Sequence, residues 1–157
     1  MNKKNSKLNS IISSDYAFKK LKIKAISRDD LTILSSLCQD GIFSVEEIVY
    51  IKDEKKLVTT FSRFCWELKN ISDYNKKVHF RVVSGLQIND VLKINYNNFN
   101  NINNDNFFNL LSISYNYNCI SFNFSLNSSI DIKVKKINIL LDDIDLPWPT
   151  IKKPIHK

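Results

Sequence analysis

One stretch of this chain carries apolar residues at helical spacing, and nearly everything after it alternates with the two-residue period of a strand. Leu31, Leu34, Leu37 and Cys38 form one stripe on a helix of roughly 28–39. Ser27 is a good N-cap, and Asp29 and Asp30 in the first turn favour the helix dipole. Asp40-Gly41 ends the helix, with Gly41 available for a left-handed C-terminal conformation. Before it, Leu21 to Ile26 alternates apolar and basic residues, as a half-buried strand does.

After it, Ile42 to Ile51 and Leu57 to Glu67 read as two strands around the charged turn Lys52-Asp53-Glu54-Lys55-Lys56. Val78 to Val83 and Leu86 to Ile94 are further strands, broken by Ser84-Gly85. Leu110 to Asn116, Cys119 to Asn127 and Ile130 to Lys135 form a meander, while 137–144 reads equally as a strand or a short helix. The expected fold is α+β: one N-terminal helix and a largely antiparallel sheet of about seven strands, curled toward a partly open barrel. Residues 1–18 read as a disordered basic tail, 19–146 as a single domain and 147–157 as an extended tail held open by its prolines. Within the domain, 95–109 reads as an asparagine-rich surface loop.

The net charge of +7 invites nucleic acid or an acidic surface, but its location weakens that idea. Residues 1–24 hold +6 (seven lysines against Asp15) and residues 152–157 hold +3, so the body between them carries −2. Abundant Asn, Ile and Lys beside two alanines and two glycines is the skew that AT-rich coding gives, which discounts composition as a functional signal. No run of about 18 apolar residues exists to cross a membrane as a helix. Three widely spaced cysteines, Cys38, Cys65 and Cys119, are an odd number that suits reduced thiols and a cytoplasmic setting better than a disulfide framework.

No catalytic, metal or phosphate motif is complete. His79 and His156 have no Cys or Asp at ligand spacing, and zinc needs three or four convergent ligands. Asp142-Asp143-Ile144-Asp145 lacks the loop spacing of a calcium site and reads as a solvated strand or helix end. No cofactor is expected. Polar residues gather at one place only, Ser62-Arg63-Phe64-Cys65-Trp66-Glu67, which the hairpin folds back toward Gln39-Asp40. Alternation puts Phe61, Arg63, Cys65 and Glu67 on one face, and Phe64 and Trp66 on the other. A turn centred near Glu54 sets Val45 opposite Arg63 and Gly41 opposite Glu67, leaving Arg63 about 13 Å from Gln39-Asp40 at strand rise. On that geometry Arg63 and Glu67 cannot pair without a bulge. Arg63 then either meets Glu46 or Glu47 across the hairpin, worth under about 1 kcal/mol if exposed, or joins Asp40 and Glu67 in a recognition rim with Trp66 beneath.

Several of these residues also carry a resemblance. Leu21 to Ala25, Asp30-Leu31, Leu34-Ser35, Gln39-Asp40 and Arg63-Phe64-Cys65-Trp66-Glu67, with Trp148, Thr150, Pro154 and His156 near the end, resemble in order and spacing a family of small bacterial proteins catalogued as domain of unknown function 2948. The likeness spans about 20–156. It departs at Ser62, where the family has Asn, at Gly41, where it has Ala, and in the asparagine-rich insertion. The resemblance implies a fold and a set of residues to watch, and no reaction.

The expectation is a non-catalytic cytoplasmic binding or scaffold domain engaging a protein partner at the hairpin base and C-terminal tail. Its candidate recognition residues are Gln39, Asp40, Arg63, Trp66, Glu67, Trp148 and His156. One alternative is RNA binding by the basic tails, where Lys19, Lys20, Lys22 and Lys24 sit among Tyr16 and Phe18. Another is an enzyme using Asp40 and Glu67 as an acid/base pair.

Overall fold

In a computed structural model, described here over residues 18–68, 78–99 and 106–155, the helix forms where its caps predict. Helix α1 runs Arg28–Cys38 behind a reciprocal capping box: Asp30 N–H donates to Ser27 Oγ and Ser27 N–H to Asp30 Oδ2, both at 3.1 Å. Leu31, Leu34 and Cys38 are its buried stripe. The left-handed residue beyond it is Asp40, at φ 62°, and not Gly41. Glycine matters at 41 for space: a Cβ there would stand 2.9 Å from both the Cys38 carbonyl and the Phe61 ring.

The described residues form eleven strands, more than the seven expected: β1 Lys22–Ala25, β2 Ile42–Ser44, β3 Val49–Ile51, β4 Lys56–Phe64, β5 His79–Ile88, β6 Val91–Asn97, β7 Phe107–Asn116, β8 Cys119–Phe124, β9 Ser129–Val134, β10 Ile139–Asp143 and β11 Trp148–Thr150. The order is β1-β10-β5-β4-β2-β7-β8-β9-β6, with β3 also pairing β4 and β11 also pairing β5. Every pairing is antiparallel.

The higher count has local causes. A 3-10 turn at Val45–Glu47 splits the expected 42–51 strand into β2 and β3. Ser84-Gly85 does not break β5, because Ser84 bonds Asp143 across the sheet and Gly85 lies under the Ile144 side chain. The turn falls instead at Asn89-Asp90, with Asp90 at φ 55°. Segment 137–144, open between helix and strand, contains strand β10. Strands also reach into 95–109 from both sides, as β6 and β7, and the extended tail contains β11.

Short β2 pairs with both β4 and β7 and joins two halves of the sheet. Their inner faces share one core, in which Phe43 stacks on Phe61 at 4.3 Å and meets Phe124 edge-on at 5.4 Å. Each large apolar side chain buried there contributes about 1.5–3 kcal/mol. The sheet curls but does not close into a barrel: β1 and β6 are the ends of an open path. A second, smaller cluster of Cys65, Phe80 and Val82 gathers Phe18, Leu68 and Val78. Along β4 the inward residues run Leu57, Thr59, Phe61 and Arg63. A fully buried arginine therefore stands between the two apolar clusters.

Candidate functional site

Strand β4 presents its residues to two faces, and the polar cluster divides between them. On the inner face Arg63 is 0% exposed. Its Nε and Nη2 donate to Asp143 Oδ1 and Oδ2 at 3.1 and 2.9 Å, and its Nη1 and Nη2 donate to Glu67 Oε2 and Oε1 at 2.9 and 2.7 Å. Each carboxylate thus takes one edge of the planar guanidinium, the geometry that suits arginine best. Asp143 is saturated as well, since Oδ1 accepts from Ser84 Oγ at 2.7 Å and Oδ2 from Leu21 N–H at 2.9 Å. Burial pushes the Asp143 carboxyl up, but the bonds from Arg63, Ser84 and Leu21 outweigh it and hold it below the usual carboxylate range. The Arg63 guanidinium is held above its ordinary range because its bonds to Glu67 and Asp143 outweigh burial.

Three expectations are corrected here. Arg63 and Glu67 do pair, because β4 ends at Phe64 and a 3-10 turn at Trp66–Leu68 draws the chain in at about 2 Å per residue. Arg63 meets neither Glu46 nor Glu47; it stands opposite Val82 on β5, while Glu47 accepts from Thr60 and Glu46 from Asn106. Asp143 is buried rather than solvated. This network ties β4, β5, β10 and the entry to β1 together, and nothing outside the fold can reach Arg63.

The outer face is different. Phe64, Arg81 and Trp148 are register partners on β4, β5 and β11, so their side chains line up across three strands. Trp66 packs on Phe64 at 4.5 Å between ring centres, His79 at 5.8 Å, and the Arg81 guanidinium lies 5.4 Å over the same ring. The helix exit braces this group with backbone oxygens: Trp66 Nε1 donates to Gln39 O at 2.9 Å, and Arg81 Nη1 donates to Asp40 O and Ser62 O, both at 3.1 Å. Burial lowers the Arg81 guanidinium from its ordinary value, partly offset by the Asp40 charge. Burial and then the Lys153 charge lower the His79 imidazole, so it is neutral at pH 7. Trp148 stays 39% exposed. Further along the same face, Val58, Thr60, Gly85, Gln87 and Leu140 line an open groove of about 420 Å³.

Of the seven expected recognition residues, the structure brings Gln39, Asp40, Trp66 and Trp148 around the Phe64–Arg81 pair. It turns Arg63 into the interior, where Glu67 pairs with it from the exposed rim. His156 lies outside the described residues. Sequence reasoning missed Arg81, which alternation alone could have placed, because it is out of phase with buried Phe80 and Val82. Asp143 was legible the same way, in phase with Ile139 and Leu141.

Chemically, the outer face offers aromatic rings, one imidazole and one guanidinium. Cys38 and Cys65 are pushed up to about 12 by burial and stay protonated at neutral pH. Both Glu67 oxygens accept from Arg63. Among the described residues no group of three or more His, Cys, Asp or Glu could hold a metal ion, and no helix is long and apolar enough to cross a membrane.

No curated protein and no solved structure matches the chain. A family model described as a protein of unknown function (DUF2948) matches residues 21–156, which include every described residue of both clusters from Leu21 onward. That match takes in β1 through β11, and the chain belongs to the domain of unknown function 2948 family.

Proposed function

We propose that this chain is a non-catalytic binding module that engages another protein through the outer face of β4, β5 and β11. The observation that carries this reading is the Phe64–Trp66–His79–Arg81–Trp148 platform, where partly exposed Trp66, His79 and Trp148 and one half-buried guanidinium gather over the buried Phe64 ring. Tryptophan and arginine dominate the energetics of protein interfaces, because each offers a large buriable area with directed donors. Leu140 and Ile144, 37% and 51% exposed on the same side, extend the apolar area beside the platform. Free thiols at Cys38, Cys65 and Cys119 suit a reducing cytoplasm as the place where this happens.

The test is affinity purification of the full chain from its source cells, with nuclease present, comparing wild type with Trp148→Ala. Trp148 is exposed enough for its removal to leave the core intact. A protein retained by wild type and lost from the variant is the expected result. Recovery of the same proteins by both chains would overturn the reading, as would material that disappears with nuclease alone.

A further inference from the structure

The two arginines of the β4–β5 ladder use their donors differently, and the difference identifies a ligand chemistry. Arg63 has both edges of its guanidinium filled by carboxylates. Arg81 stands one residue along the ladder on the opposite face, opposite Phe64. Its Nη1 is fixed by two backbone oxygens, and its plane is steadied by the Phe64 ring. Among the described residues its Nε and Nη2 have no acceptor. Among the described residues the one buried side-chain polar atom without a partner is Asn138 Oδ1, so these two nitrogens are not sealed inside the protein. They form the side-on fork of the guanidinium, the same edge that Arg63 gives to Asp143.

We infer that the side-on fork of Arg81 is a carboxylate-binding site, whose ligand is a carboxylate of the partner protein flanked by an aromatic or large apolar side chain. This rests on the outer face being the partner surface. The fork geometry specifies two acceptor oxygens about one carboxylate width apart. The flanking side chain follows from Trp148, the register partner of Arg81, and from the Trp66 and His79 rings packed around Phe64 next to it. The charge around the fork is mixed: the Asp40 carboxylate acts on Arg81 itself, while Lys153 acts on neighbouring His79. Pre-fixing Nη1 also lowers the ordering cost of binding, because the arginine is already held in the geometry that the ligand needs.

N-acetyl-phenylalanine is a suitable probe, since it carries one carboxylate next to one ring; its amide, N-acetyl-phenylalaninamide, is the control. The readout is the arginine ¹⁵Nε–H and tryptophan indole resonances of the full chain during titration. The carboxylate probe should shift the Arg81 Nε–H and Trp148 indole signals and leave the Arg63 signal in place. The amide should shift the Arg81 signal at least tenfold less, and Arg81→Gln should abolish the indole response. Equal responses to acid and amide, a response surviving in Arg81→Gln, or a response to phenyl phosphate alone would each overturn the carboxylate assignment. The two proposals fail separately. A protein lost on Trp148→Ala but indifferent to Arg81→Gln, with no probe binding, refutes the carboxylate site and keeps the partner surface. Probe binding with no variant-dependent protein refutes the partner surface and keeps the chemistry of Arg81.

Discussion

Replacing Asp143 with asparagine should be among the most damaging single changes available to this chain. The carboxylate is 0% exposed at its side chain and accepts four hydrogen bonds, two from Arg63 and one each from Ser84 Oγ and Leu21 N–H. Asparagine keeps the shape but turns one acceptor into a donor facing donors, and it leaves the Arg63 charge with only Glu67 to balance it. Removing one partner of a buried ion pair costs about 3–5 kcal/mol, a large share of the roughly 5–15 kcal/mol that holds a domain together. For a chain of this size that corresponds to a fall in Tm of about 6–20 °C. Glu67 provides the internal comparison. It contacts the same guanidinium but is 27% exposed at its side chain, so Glu67→Gln should cost about 1 kcal/mol or less. Urea unfolding of wild type, Asp143→Asn and Glu67→Gln measures both. The double variant Arg63→Met, Asp143→Leu removes both buried charges and should be more stable than Asp143→Asn alone. If Asp143→Asn cost no more than Glu67→Gln, the anchoring role given to the buried pair would be wrong.

Two further outcomes follow from the same interior. Because folding holds the Asp143 carboxyl below its unfolded value of 3.8, its contribution is complete above that pH and is lost as pH falls below it; acid unfolding followed by circular dichroism should show an acid limb that Asp143→Asn flattens. Burial keeps Cys38 and Cys65 protonated, with thiols at about 12, whereas Cys119 is only partly covered; a thiol reagent at neutral pH should label Cys119 in the native protein and all three cysteines after unfolding.

How much of this could be read from the sequence depends on the distance over which each feature is specified. The helix was legible because its cap, dipole charges and stop all lie in one short local segment, from Ser27 to Asp40. The alternation of β4 put Arg63 and Phe64 on opposite faces correctly, because that rule is also local. The Arg63–Asp143 pair joins residues 80 apart and depends on β10 lying beside β5, which no local pattern reveals. Register was misjudged for a similar reason: the 3-10 turn at Val45–Glu47 takes residues out of the ladder, so Ile42 meets Ser62 and Val45 does not meet Arg63. The outer platform was half visible. Gln39, Asp40, Trp66 and Trp148 stood out by type, while Arg81 was hidden in a strand that read as ordinary. Its partner Trp148 comes from a segment that prolines had marked as an extended tail, although extended backbone is also what β11 needs to pair with β5.

The central claim is that one arginine holds the fold and its neighbour on the ladder is open to a ligand. Hydrogen exchange at the arginine Nε–H groups, resolved by ¹⁵N NMR on the full chain without ligand, tests it most directly. Arg63 Nε–H, enclosed and bonded to Asp143, should be protected as strongly as the amides of β4 and β5. Arg81 Nε–H, with no acceptor among the described residues, should exchange within the dead time. Equal protection at both arginines would contradict the account, as would rapid exchange at Arg63.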